Sequence, residues 1–125
     1  MKLSHIALNI ESKEELVDFY QNILEFNLEY QFELNSDFAT KFFGITKQAD
    51  VFLYKNEDLQ LELFINTANK NIGFSHICIE VLDREIIAEK SAKAGYPVLR
   101  IERTDRPDVL FVKDKSGNIF ELKNK

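Results

Sequence analysis

The chain contains only two histidines, and they occupy matched positions in two similar segments. Residues 4–10 read SHIALNI, and residues 75–81 read SHICIEV. His5 and His76 are therefore 71 positions apart, which is more than half the length of the chain. A recurrence of this kind predicts two copies of one structural unit, each of which carries one histidine in the same place.

Two glutamates are matched in the same way. Glu62 and Glu121 each lie between two large apolar residues near the end of the corresponding copy. Side chains alternate between the two faces of a strand, so apolar neighbours that turn toward a core leave each glutamate on the opposite face. The same alternation places His5 and His76 on that opposite face.

Imidazole nitrogens and carboxylate oxygens together are typical ligands of a divalent transition metal. A single histidine or glutamate on a strand is more often an ordinary polar residue, but here both types recur at matched positions. The pattern therefore predicts a metal site made by His5, Glu62, His76 and Glu121. Zn²⁺, Ni²⁺, Co²⁺ and Mn²⁺ all suit these ligands, and the affinity order alone does not choose among them.

The elements that must position these residues follow from hydrophobic periodicity. Residues 2–10 alternate as a strand, and residues 13–24 carry an apolar stripe with helical spacing. Further along, the pattern predicts strands at 26–34, 51–54 and 59–65 and a short helix at 37–43 that ends at Gly44. The first copy is therefore a β-α-β-β-β module that spans about residues 1–67.

The second copy repeats this order after a polar connector, Thr67–Gly73. Asp83 is a good N-cap for a helix that runs to about Ala94, and Gly95 suits its C-terminal end. The predicted strands are 74–82, 98–104, 109–113 and 119–123. This module spans about residues 74–125, and the two modules together predict one α+β domain over residues 1–125.

Composition limits the possible partners. The 125 residues carry a net charge of −5, which argues against nucleic acid or an anionic membrane as the principal partner. A single cysteine excludes an intramolecular disulfide. With neither a signal peptide nor a long apolar span in the sequence, we expect a soluble, cytoplasmic protein that acts on a small molecule.

The order of elements and the four matched residues resemble the vicinal oxygen chelate superfamily, which includes glyoxalase I, bleomycin- and fosfomycin-resistance proteins and extradiol dioxygenases. Residues 16–24 are similar to the first helix of that family, and residues 114–122 to its last turn and strand, with Lys115 where the family usually has proline. The resemblance implies a curved eight-stranded mixed sheet around a metal-binding cleft, with helices outside. It also implies a homodimer.

The resemblance leaves the reaction open. The His-Glu-His-Glu set is closest to glyoxalase I, a lyase or isomerase that moves a proton of a small carbonyl substrate through an enediolate. In that case Glu121 would be the catalytic base and Glu62 its partner. An epimerase like methylmalonyl-CoA epimerase, in which the second ligand is generally glutamine, is an alternative, and Gln60 lies on the face of Glu62. A non-catalytic protein that binds an antibiotic or another small molecule is the alternative from a different class.

Five further residues are predicted to line a substrate pocket: Asn9, Phe64, Asn66, Cys78 and Arg103. Asn9 stands where glutathione-using bacterial relatives tend to carry arginine, whereas Asn66 matches a polar residue of those enzymes. Cys78 could instead be a small buried filler, and Arg103 a solvated surface charge. Phe38, Phe42 and Phe43 could form a lid or pack into the core.

Overall fold

The computed structural model describes residues 1–68 and 75–125. The chain divides into two compact units, Met1–Asn69 and Lys70–Lys125. The end of the predicted connector Thr67–Gly73, and Phe74 at the predicted start of the next strand, lie outside the described residues.

Unit 1 is a four-stranded mixed sheet with a helical segment packed on one face. Its elements are β1 (Ile6–Ile10), a π-helix (Leu16–Gln21), β2 (Asn27–Leu34), α1 (Ser36–Phe43), β3 (Ala49–Asn56) and β4 (Leu59–Ile65). The strand order is β1-β4-β3-β2. The pair β1–β4 is parallel and the other two pairs are antiparallel.

The first helical segment differs from the predicted α-helix over residues 13–24. The amide N–H of Asn22 donates to the carbonyl of Val17 at 2.9 Å, and that of Leu24 to Phe19 at 3.1 Å, so the hydrogen bonds span five residues instead of four. The predicted apolar stripe is nevertheless buried, and Phe19 and Tyr20 are fully enclosed. Burial of the stripe against the sheet positions this segment. The same residues are buried even though the hydrogen bonds are those of a π-helix and not of an α-helix.

The core of unit 1 lies between that stripe and one face of the sheet. Leu61 and Leu63 of β4 are fully buried, and their register partners on β1 are Ile6 and Leu8. Because strand side chains alternate, this packing turns Glu62 to the opposite face.

Unit 2 repeats the arrangement with one α-helix. Its elements are β5 (Ile77–Val81), α2 (Arg84–Lys93), β6 (Val98–Ile101), β7 (Val109–Lys113) and β8 (Ile119–Asn124), in the sheet order β5-β8-β7-β6. The Asp83 carboxylate accepts from the amide of Glu85 at 2.9 Å and caps α2 as predicted. Phe120 and Leu122 of β8 are fully buried, so Glu121 faces away from α2.

Strand β6 ends earlier than the predicted residue 104. The Arg103 amide donates to the Asp108 carboxylate at 3.3 Å, and the Arg103 guanidinium donates to the Pro107 carbonyl. These bonds hold the segment between β6 and β7 as a loop instead of a continued strand.

The predicted α+β fold class is confirmed, because the eight strands found among the described residues, and the helices that connect them, follow the predicted order. Hydrogen bonding groups the eight strands as two four-stranded mixed sheets. Within the described ranges 1–68 and 75–125, no helix is both long enough and apolar enough to cross a membrane.

Candidate metal centre and substrate cavity

The first predicted histidine and the first predicted glutamate are in contact. His5 lies one residue before β1, and its Nε2 is 3.0 Å from Oε2 of Glu62. Residue Ala7 of β1 is the register partner of Glu62, so the three side chains occupy one face of the sheet. The contact also assigns Glu62, instead of Gln60 on the same face, as the neighbour of His5.

Unit 2 reproduces this geometry. His76 lies one residue before β5, and its Nε2 is 3.3 Å from Oε2 of Glu121. Cys78 is the register partner of Glu121, as Ala7 is of Glu62. Side-chain exposures of 44% and 42% for the two histidines, and 20% for each glutamate, make the pairs equivalent in solvent access as well.

The spacing within each pair suits two ligands of one metal ion. With metal–ligand bonds of about 2.1 Å, neighbouring ligand atoms lie roughly 3.0 Å apart in an octahedral site and roughly 3.4 Å apart in a tetrahedral one. The measured separations of 3.0 and 3.3 Å fall in this range. In neither unit do the described residues bring three or more His, Cys, Asp or Glu side chains together, so each pair by itself offers only two candidate ligand atoms.

Two further side chains lie beside Glu121. The Lys123 Nζ is 3.8 Å from Oε1 of Glu121, and the ring of Phe111 packs edge-on against His76 at a centroid distance of 5.8 Å. Cys78 is exposed, but the protein around its thiol removes part of the solvent. This partial desolvation, with a smaller contribution from the Glu121 charge, raises the pKa of the thiol. Cys78 therefore lies at this pair as a neutral thiol at pH 7.

A cavity of about 330 Å³ opens in unit 1 on the face that carries His5 and Glu62. Most of its lining side chains are apolar, and it extends from Ala7 to the ends of β1 and β4. Three of the five predicted pocket residues, Asn9, Phe64 and Asn66, line it. The Asn66 Nδ2 donates to Oδ1 of Asn9 at 3.2 Å, so the two amides form a linked polar group in a mostly apolar wall.

Helix α1 contributes Ala39 and its last residue, Phe43, to this cavity. Phe43 at the end of α1 packs edge-on against Phe64, with ring centroids 5.9 Å apart. Phe38 and Phe42 stack on each other and stay largely exposed on the outer side of α1. Of the three aromatic residues, Phe43 lines the cavity, and Phe38 and Phe42 do not pack into the core.

The predicted role of Arg103 remains a prediction. Its Nε donates to the Pro107 carbonyl at 2.8 Å, which ties the guanidinium to its own loop. The neighbouring Arg100 forms ion pairs with Glu85 and Asp108, and these bonds raise the pKa of its guanidinium.

Sequence reasoning missed Lys47 and Gln48, which line the cavity. Neither residue belongs to a strand or helix, so no periodicity could have placed them. Lys123 was also missed, although its position two residues after Glu121 on β8 gives it the same strand face.

Comparison with known proteins identifies the family to which the chain belongs. A sequence model of the Glyoxalase/Bleomycin resistance protein/Dioxygenase superfamily matches residues 2–122, nearly the whole chain. This match confirms the predicted resemblance. No curated protein matches the chain.

Several solved structures share the fold. A glyoxalase family protein from Enterococcus faecalis is 18% identical, with a TM-score of 0.74 over 97% of this chain and 95% of that one. The fosfomycin resistance protein FosX from Listeria monocytogenes is 16% identical, with a TM-score of 0.76 over 100% of this chain and 93% of its own.

A mutant of the same FosX was solved with Mn(II) and 1S,2S-dihydroxypropylphosphonic acid. It is also 16% identical, with a TM-score of 0.73 over 97% of this chain and 87% of its own. That FosX mutant thus holds a divalent metal and a small organic ligand in one structure.

Proposed function

The chain belongs to the Glyoxalase/Bleomycin resistance protein/Dioxygenase superfamily, and from that premise we propose that it is a metal-dependent enzyme of the glyoxalase I type. The reaction is the isomerisation of a small carbonyl substrate by proton transfer between neighbouring carbons. The observation that carries this proposal is the pair of His–Glu contacts, which recurs with the same strand register in both units.

The metal ligands in this proposal are His5, Glu62, His76 and Glu121. Their support is the donor chemistry and the 3.0 and 3.3 Å spacing within each pair. A bound divalent ion would act as a Lewis acid that polarises a substrate oxygen and makes the adjacent C–H more acidic. Zn²⁺, Ni²⁺, Co²⁺ and Mn²⁺ are the candidate ions.

Glu121 is the proposed base. Its carboxylate takes the proton from the hydroxyl-bearing carbon next to the carbonyl and returns it to the carbonyl carbon. The hydroxyl proton passes to the former carbonyl oxygen, so the net change is an isomerisation. The Lys123 Nζ, 3.8 Å from Oε1 of Glu121, forms an ion pair with that carboxylate on one side. Glu62 faces the substrate as the partner carboxylate.

A second candidate function is a binding role without catalysis, such as antibiotic sequestration. The observation that favours it is the cavity of about 330 Å³ with Phe43 and Phe64 in its wall, since planar ligands stack well on aromatic rings. An epimerase is a third alternative and would use the same proton transfer at a single carbon.

The experiment that tests the proposal measures metal content and proton exchange on the same samples. Protein reconstituted with each candidate ion is analysed for bound metal, and loss of the substrate α-hydrogen in D₂O is followed by NMR across hemithioacetals and 2-oxo acids. We expect exchange that depends on metal and falls by about 10²–10⁴-fold in Glu121→Gln. His5→Ala should lose metal, whereas Glu29→Gln, an exposed strand glutamate away from the site, should change neither quantity.

The contradicting result is equally specific. If wild type and His5→Ala hold equally little metal, and no substrate exchanges, the enzyme proposal fails. Tight binding of planar ligands by the metal-free protein would then support the binding alternative.

A further inference from the structure

The cavity in unit 1 has one charged side chain in its wall. Among the described residues that line it, only Lys47 carries a charge. No described side chain forms an ion pair with the Lys47 ammonium group, although other lysines, such as Lys13 with Asp50 at 2.8 Å, have such partners. A cation at the edge of an apolar cavity without a protein carboxylate can pair with a ligand's anion.

The loop that carries Lys47 has a defined backbone course. Gly44 ends α1 in the left-handed conformation at φ 68°, and the Ile45 amide donates back to the Ala39 carbonyl at 3.3 Å. The Thr40 hydroxyl donates to the Ser36 carbonyl at 2.7 Å and lies 3.4 Å from the Ile45 carbonyl. These bonds return the chain over the cavity and hold Lys47 at its edge, two residues before β3.

Because unit 1 is acidic, an anionic ligand in this cavity would depend on Lys47 for electrostatic attraction. Residues 1–68 contain more than twice as many acidic as basic side chains and no arginine. A ligand anion near this unit therefore meets a negative field except close to a lysine. Among the described residues of unit 1, Lys47 is the lysine that lines the cavity.

The cavity also connects to the proposed reaction site. Its wall includes Ala7, the register partner of Glu62, and continues past Phe64 to the Asn9–Asn66 amides. A molecule whose reacting end lies at His5 and Glu62 can therefore place its other end in the cavity. At about 330 Å³ the space is at the lower end of the range of about 300–1,000 Å³ for ligand pockets.

We propose that this cavity selects a small organic acid, with an apolar body packed against Phe43 and Phe64 and a carboxylate or phosphonate paired with Lys47. The assignment rests on the proposed function for the reacting end only, since the cavity and Lys47 are separate from the four metal ligands. The specificity of the enzyme is then for anionic substrates with a short apolar chain.

The test uses metal-free full-length protein and backbone NMR, with hexanoate, hexylphosphonate and neutral hexanamide as probes. We expect the anionic probes to shift the amide signals of Ile45, Gln48 and Asn66 and to bind more tightly than hexanamide. Lys47→Met should weaken hexanoate binding about fivefold and leave hexanamide binding unchanged. Lys41→Met removes the same charge from α1 outside the cavity wall and should bind both probes as wild type does.

A second variant locates the binding. Ala49→Leu adds bulk to the cavity wall and should weaken hexanoate and hexanamide alike. The proposal is overturned if hexanoate and hexanamide bind equally, if Lys47→Met behaves as Lys41→Met does, or if no probe shifts cavity signals. Metal binding and proton exchange are measured separately, so this failure is distinct from failure of the proposed reaction.

Discussion

The residue that follows each histidine determines the face of the sheet on which the side chains of His5 and His76 lie. Ile6 and Ile77 begin β1 and β5 and pair with Leu61 and Phe120, which are fully buried. The histidine one position earlier must then point to the other face, where a carboxylate meets it. Without metal, the imidazole Nε2 can donate to that carboxylate, so each pair is positioned before an ion binds.

A residue-scale prediction concerns Tyr54 on the buried face of β3. Burial raises the pKa of its phenol above the ordinary value of 10.0, and its side chain is 3% exposed. The folded state therefore keeps this proton more firmly than the unfolded state does, so folding stability falls as the pH rises above 10. Urea unfolding from pH 8 to pH 11 should show a smaller decline for Tyr54→Phe than for wild type.

The control for this prediction is Tyr30→Phe, because Tyr30 is 55% exposed on β2. Its decline with pH should match that of wild type. An equal decline in wild type and Tyr54→Phe would show that the Tyr54 phenol does not contribute.

At the scale of elements, the two units differ in one connection. Unit 1 places α1 between β2 and β3, whereas unit 2 joins β6 to β7 by a loop that Arg103 and Asp108 hold. Helix α1 and the loop after it wall the cavity in unit 1. The repeated strands thus position the two matched His–Glu pairs, and the unmatched connection carries the part of the cavity wall that includes Lys47.

The turn before β8 supports a second prediction. The buried Asp114 carboxylate accepts from the Ser116 amide at 2.9 Å and from the amide and side chain of Asn118 at 2.8 and 2.7 Å. Gly117 completes the turn with a φ of 88°. Asp114→Ala leaves these donors without their acceptor. The free energy of unfolding, measured by urea denaturation, should therefore fall by about 2–4 kcal/mol.

Asp105→Ala is the matched control, because Asp105 is exposed in the loop between β6 and β7. Its change should stay within about 0.5 kcal/mol. A loss of similar size in both variants would contradict the assigned role of Asp114.

At the scale of the whole molecule, exposed apolar residues favour association of two chains. Leu28 and Tyr30 on β2, and Leu99 and Ile101 on β6, are each about half exposed on the outer strand of their sheet. Apolar area of this kind gains free energy when another surface covers it. These residues support the predicted homodimer, whose partner chain could also contribute to the substrate site.

Sedimentation equilibrium at micromolar concentrations tests this prediction. We expect twice the chain mass of 14.6 kDa, and a shift toward the single chain in Leu99→Lys. Ile86→Lys, which places the same charge at an equally exposed position on α2, is the control. A strict monomer in the wild type would rule the homodimer out.

The repeated strand order, the faces of the strands and the matching of each histidine with a glutamate can be predicted from the sequence. They follow from a period of two along each strand and from the repeat of residues 4–10 at residues 75–81. The apolar stripe at residues 16–24 could also be predicted from the sequence, but its π-helical hydrogen bonding could not. The contacts that the loops make could not be predicted from the sequence. Whether Arg103 bonds its own loop, and whether Lys47 reaches a cavity, depends on capping bonds and turns between elements, which no hydrophobic period encodes.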